Sequence, residues 1–168
     1  LGGESNLKII YWIKNYIETF GVETTLVPNK EETKASLHCR IGPAIDGGVI
    51  LSGHTDVVPV EGQDWHTDPF TLVKKDGKLF ARGSADMKGF IACCLATLPT
   101  LSKAHLKKPI YFAFSYDEEI GCLAAPELIE HIKKSYIENA TYAIIGEPSL
   151  LEPVIGKKGV CYVQTEVN

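Results

Sequence analysis

The sequence predicts an α/β fold: a central mixed β-sheet flanked by helices. Two observations carry that expectation. Segments with apolar residues at helical spacing alternate with short runs that are continuously apolar or alternate apolar and polar. Gly, Pro and Asp-Gly dipeptides divide these into pieces of ordinary helix and strand length, and no segment repeats another. With 168 residues, 45% hydrophobic and 23% charged, the chain suits a single domain with a real core rather than a disordered segment.

In chain order, residues 5–20 form the first expected helix, because Ile9, Ile13, Tyr16, Ile17 and Phe20 recur on one face and Gly21 follows as a stop. TTLVP is a short strand, NKEETK a polar turn and SLHCRIG a second strand; DGG then sets off VILSG as a short buried strand. HTDVVPVEGQDWHTDPF has two prolines, a glycine and little periodicity, and is expected as a loop. TLVKKDGKLFA is a hairpin whose Asp76-Gly77 tip suits a turn that needs positive φ. A second helix is expected from Asp86, with Phe90, Ile91, Cys94, Leu95 and Leu98 on its apolar face. IYFAFS after Pro109 is a buried strand, residues 122–134 a third helix, TYAIIG another buried strand and CYVQTEV a terminal one.

Charge and hydropathy exclude several roles. Seventeen Lys and Arg against twenty-one Asp and Glu give a net charge of −4, without any block of like charge, so neither nucleic acid nor an anionic membrane is an expected partner. No apolar run approaches the roughly 20 residues of a spanning helix. The opening LGGESNLK lacks the basic segment and long apolar core of a secretory signal, and Leu1 in place of Met suggests that it is not the native start. Cys39, Cys93, Cys94, Cys122 and Cys161 are odd in number and form no Cys-x-x-Cys pair, so buried, reduced thiols and a cytoplasmic location are expected, with a thiol nucleophile or zinc knuckle as the lesser reading.

Four clusters of acidic or imidazole residues follow apolar strands or open a helix, which is where α/β sheets build their sites. In Ser52-Gly53-His54-Thr55-Asp56 the two-residue spacing of an extended backbone turns His54 and Asp56 to one side, so that Asp56 can fix the tautomer of His54. Taken alone, the pair reads rather as a loop histidine beside a turn-capping carboxylate, since a metal site needs more than one such pair. Asp86 stands where an N-capping acid is common. Asp117-Glu118-Glu119 is either a solvated loop or a divalent-cation ligand beside a general base, because adjacent carboxylates repel unless cations or solvent screen them. Glu147 ends the strand TYAIIG. Together these clusters point to a metal site.

His54, Asp86, Glu119 and Glu147 offer nitrogen and oxygen donors without thiolate, a set suited to zinc or a similar divalent ion in a hydrolytic site. If Asp86 bridges two ions, His54, Asp86 and Glu147 complete one, whereas the other has Asp86 and Glu119 and lacks a ligand. His38, His66, His105 and His131 do not follow apolar strand ends. The remaining ligand is therefore expected beyond Asn168.

SGHTDVVPV, ARGSADMKG, SYDEEIGC and IIGEPS, with GQDWHTDPFTL and DGKLFARG between them, resemble in order the blocks of the dinuclear zinc metallohydrolase family that includes succinyl-diaminopimelate desuccinylase, aminoacylase and glutamate carboxypeptidase. The resemblance runs through essentially the whole chain. It implies a zinc-peptidase-like catalytic domain, present here incompletely: residues 1–155 as its N-terminal part and 156–168 as the start of an inserted dimerisation or lid domain. It implies two divalent metal ions, zinc or else cobalt, with His54 and Glu147 on the first ion, Glu119 on the second and Asp86 bridging both. Asp56 is implied to orient His54, Glu118 to act as general base, and the Asp86-Met87 bond to be cis. Where relatives often have His before Lys-Gly, this chain has Lys157. The implied activity is removal of the acetyl group from N2-acetyl-L-ornithine to give ornithine and acetate, a step of arginine biosynthesis, by a cytoplasmic homodimeric parent protein. Other implied substrates are a succinylated diamino acid, another N-acyl amino acid or a dipeptide. A non-catalytic metal-binding or interaction protein on the same fold is the reading of a different class, and the presence of both Glu118 and Glu119 argues against it.

Overall fold

The computed structural model describes residues 5–136, 138–156, 158–159, 163 and 165–166. Helix α1 (Leu7–Glu18) leads into the antiparallel strands β1 (Thr24–Pro28) and β2 (Ala35–Ile41). After β3 (Val49–His54) come a long loop and the small hairpin β4 (Val73–Lys75) and β5 (Lys78–Phe80). Asp76 and Gly77, at φ 51° and 72°, make the hairpin tip, as Asp-Gly predicts for a turn with two left-handed residues. Helix α2 (Lys88–Leu101), β6 (Ile110–Ser115), α3 (Ala125–Ser135) and β7 (Tyr142–Ile145) complete the fold.

The main sheet runs β1-β2-β6-β3-β7, with β1, β2 and β6 antiparallel in turn and β6, β3 and β7 parallel, so it is mixed as expected. Helices cover both faces. Ile10, Ile13 and Ile17 of α1 and Ile91, Cys94, Leu95 and Leu98 of α2 pack with Leu37, Cys39, Ile41, Phe112 and Phe114 on one face. Leu128 and Ile132 of α3 pack with Val27, Ala113 and Ile50 on the other. The alternation of side chains along β2 and β6 makes this division: odd residues of β2 and even residues of β6 enter the larger core. The path from β3 through α2 to β6 and the path from β6 through α3 to β7 leave the sheet on opposite faces. The carboxyl ends of β3, β6 and β7 therefore lie side by side at a topological switch point.

Several expectations differ from the structure. TYAIIG is not buried: β7 is an edge strand whose four residues are all exposed, because only β3 pairs with it and no helix core packs on it among the described residues. VILSG is half-buried until Gly53 and His54. The third helix begins at Ala125, because residues 118–123 form a hydrogen-bonded turn first. Cys39 and Cys94 are buried as expected, but Cys93 lies one position off the buried stripe of α2 and Cys122 lies in the turn after Gly121, so both reach solvent. The expected strand CYVQTEV falls mostly outside the described residues, and Lys157 and Cys161 do so entirely. Among the described residues no helix is long and apolar enough to cross a membrane.

Candidate metal centre

The expected site residues arrive from four separate pieces of chain. His54 is the last residue of β3, Glu118 and Glu119 follow β6, and Glu147 follows β7 after Gly146. Asp86 comes from the loop before α2, where its side chain makes no helix cap; the Asp86-Met87 peptide is cis, as the resemblance implied. Met87 is fully buried, and its Sδ lies 3.3 Å from the His54 backbone nitrogen, which roots Asp86 beneath the end of β3. Gly146 allows a close approach: a Cβ there would lie 2.0 Å from the Phe90 ring of α2. A side chain would push apart the strand end that carries Glu147 and the helix start beside Asp86.

His54 and Asp56 form the buried floor of the site. His54 Nδ1 lies 3.2 Å from the Asp56 carbonyl oxygen and 3.3 Å from its Oδ1, so a proton on Nδ1 is held there and Nε2 faces outward. Nε2 is 3.1 Å from Asp86 Oδ1, 3.6 Å from Glu147 Oε1 and 3.8 Å from Glu118 Oε2. Asp56 has a second task that sequence spacing does not reveal: its Oδ2 accepts the Glu119 backbone N–H at 3.0 Å, tying the end of β3 to the turn after β6. Two donor groups result, His54 with Asp86 and Glu147, and His54 with Glu118 and Glu119, each with its ligand atoms within 4.8 Å of one another. The first group is the set expected for one ion. The second differs from the Asp86–Glu119 pairing expected for the other, because the turn brings Glu118 as well as Glu119 towards the imidazole.

The electrostatics suit a cation. Burial lowers the pKa of His54, but Asp56, Glu147 and Glu118 outweigh it and carry the imidazole up to about 9. Burial and the like charge of Asp86 push both Glu119 and Glu147 above the ordinary carboxylate range. Burial also raises Asp56, but hydrogen bonds from His54 and the backbone N–H groups of Glu119 and Glu118 reverse this and hold it ionised below its usual value. Crowded carboxylates around one outward imidazole nitrogen repel one another, and a divalent ion would relieve that repulsion. The donor chemistry therefore fits divalent metal.

Among the described residues, neither donor group includes another histidine. His38 and His131 meet on the α3 face, with His38 Nε2 2.9 Å from His131 Nδ1.

One imidazole and four carboxylates, three of them after the ends of parallel strands and Asp86 from the loop before α2, form a nitrogen and oxygen donor set of the kind that holds a divalent cation in hydrolytic sites. The chain belongs to peptidase family M20/M25/M40, whose sequence profile matches residues 50–165. That metallopeptidase family implies divalent metal ions. The chain is 38% identical over 157 residues to an acetylornithine deacetylase of Pasteurella multocida (strain Pm70), covering 93% of this chain and 40% of that protein. It is 39% identical over 158 residues to the acetylornithine deacetylase of Shigella sonnei (strain Ss046), with 93% and 40% covered. It thus spans about 40% of the length of the curated relatives it matches. The crystal structure of human carnosine dipeptidase 1 superposes with a TM-score of 0.71 at 26% identity, over 83% of this chain and 32% of that one. An M20 family metallo-carboxypeptidase from Sulfolobus solfataricus shares the fold at a TM-score of 0.67 and 23% identity, over 83% and 32%.

Proposed function

We propose that the whole protein is a metal-dependent amidohydrolase that removes the acetyl group from N2-acetyl-L-ornithine. The observation that carries this reading is the convergence of His54, Asp86 and Glu147 with Glu118 and Glu119 at one sheet edge. The 38–39% identity to two acetylornithine deacetylases supports the choice of substrate. In this reading His54, Asp86 and Glu147 would hold one ion and Asp86 and Glu119 the other, each zinc or cobalt. When bound, the ions supply Lewis acidity to the acyl carbonyl and acidify the attacking water. Asp56 keeps the Nδ1 proton of His54 in place and so directs Nε2 to the first ion. Glu118 takes the water's proton on a carboxylate oxygen and hands it to the leaving amine. Residues 1–155 form the N-terminal part of the catalytic domain, and 156–168 begin an inserted domain that dimerises the whole protein in the cytoplasm.

A dipeptide is the second reading, favoured by the superposition on carnosine dipeptidase 1. The test is to assay the whole protein, metal-free and loaded with zinc or cobalt, on N-acetylornithine, N-succinyl-diaminopimelate and carnosine. Metal-dependent turnover with the highest kcat/KM on N-acetylornithine is the expected result. Preference for carnosine moves the substrate assignment to the second reading, and metal-independent turnover overturns the mechanism.

A further inference from the structure

We propose that Lys34 is a positioning residue for the Glu118–Glu119 pair, acting through its ion pair with Asp117. This inference rests on the reading above, in which Glu118 is the general base.

Lys34 Nζ reaches both carboxylate oxygens of Asp117, at 2.7 and 2.9 Å, across 83 residues of sequence. The two side chains are only 14% and 12% exposed, so solvent screens the pair weakly. Lys34 sits on a fixed base. Its backbone N–H donates to Asn29 Oδ1 at 2.9 Å, its carbonyl accepts the Asn29 N–H at 2.8 Å, and the next residue, Ala35, donates to Asn6 Oδ1 at 2.8 Å. The ammonium is thus anchored to the β1–β2 turn and, through Asn6, to the segment that opens α1.

Asp117 is where the chain turns off β6. Its φ is 55°, the left-handed region that Asp tolerates better than most residues. From there the turn folds on itself: the Asp117 carbonyl accepts the Leu123 N–H at 3.1 Å, and the Glu118 carbonyl accepts the N–H groups of Gly121 and Cys122, both at 2.9 Å. Glu119 is pinned by its N–H to Asp56 Oδ2. Asp56 therefore holds the turn from the metal side and Lys34 holds it from behind, with Glu118 between the two fixed points. Without Lys34 a largely buried carboxylate is left unpaired. The turn also loses its tie from behind, so residue 117 is no longer held in its left-handed conformation, and Glu118 and Glu119 shift with it whether or not the charge at 117 remains. Misplacement of a reacting group by about 1 Å costs on the order of 10²-fold in rate.

The test uses the whole, metal-loaded protein and the substrate it turns over best, with Lys34→Met, Lys34→Arg, the double variant Lys34→Met/Asp117→Asn, and Glu118→Gln beside them. Lys34→Met is expected to lower kcat about 10–100-fold with KM within threefold, and to weaken retention of one of the two ions in a chelator titration. Lys34→Arg should restore most of kcat, because a guanidinium also grips a carboxylate through two donors. The double variant removes the unpaired charge, so it should regain thermal stability while kcat stays low. It also carries the test if Lys34→Met fails to fold. A Lys34→Met kcat within twofold of the parent, or a double variant that recovers kcat together with stability, overturns the inference. Loss of turnover in Glu118→Gln without loss in Lys34→Met sinks this inference and leaves the reaction reading standing. Full turnover in Glu118→Gln sinks that reading, and ion retention in Lys34→Met then decides the inference by itself.

Discussion

Acid should loosen this fold through His38. The imidazole is buried in β2, with Nδ1 3.0 Å from the Tyr136 hydroxyl and Nε2 2.9 Å from His131 Nδ1. Arg40 lies over the Tyr136 ring at 5.4 Å and pairs with Glu138, so the nearby carboxylate already has a cation. Burial first, and then the neighbouring His131, lower the His38 pKa from 6.5 to about 4. The unfolded chain therefore takes up a proton at a higher pH than the folded one. The stability contributed by neutral His38 is fully present above about pH 6.5 and is lost as pH falls towards 4. The gap sets a ceiling of about 3 kcal/mol, and at pH 5 the linkage amounts to about 2 kcal/mol before screening. The half-buried His131 and Tyr136 let solvent reach one side of the cluster, which reduces the figure to about 1–2 kcal/mol. Urea unfolding of this chain and of His38→Gln, each at pH 7.5, 6.0 and 5.0, isolates the term, because every other titrating group is common to both. The parent should lose about 1–2 kcal/mol more than the variant between pH 7.5 and 5.0. Parallel pH dependences would refute the reasoning, since His38 would then titrate alike in both states.

Three further outcomes are expected. Glu118→Gln in the whole protein should keep both ions, counted by metal analysis, and lose about 10²–10⁴-fold in turnover, whereas Glu119→Gln should lower the affinity for one ion. Gly146→Ala forces a methyl to within 2.0 Å of the Phe90 ring, so it should weaken metal binding, read by titration with cobalt and its visible spectrum; an unchanged spectrum and affinity would show that the strand end yields freely. Phe112→Ala empties the centre of the larger core and should cost about 3–5 kcal/mol in denaturant unfolding, unless the facing helices collapse into the space.

Much of the site was legible because its residues follow strand ends, and strand ends are marked by composition. VILSG, IYFAFS and TYAIIG announce themselves by apolar content, and the first polar residues after them are His54, Asp117 to Glu119 and Glu147. Burial was less legible. An apolar run predicts that a strand exists but not its place in the sheet, and β7 stands at an edge although its composition matches that of a central strand.

The sequence by itself determined the α/β class, the two long amphipathic stretches, the Asp-Gly hairpin and the identity of the acidic clusters, because each depends on contacts within a few residues of chain. Only the tertiary structure decided which clusters meet. The strand order β1-β2-β6-β3-β7 brings three parallel ends together, buried Met87 roots Asp86 beneath them, and Asp56 reaches a backbone N–H of Glu119. Lys34 and Asp117, like His38 and His131, find each other across 83 and 93 residues. Partners at that separation leave no local periodicity or spacing to read; they are chosen by the packing of the sheet, which fixes where distant backbones come to lie.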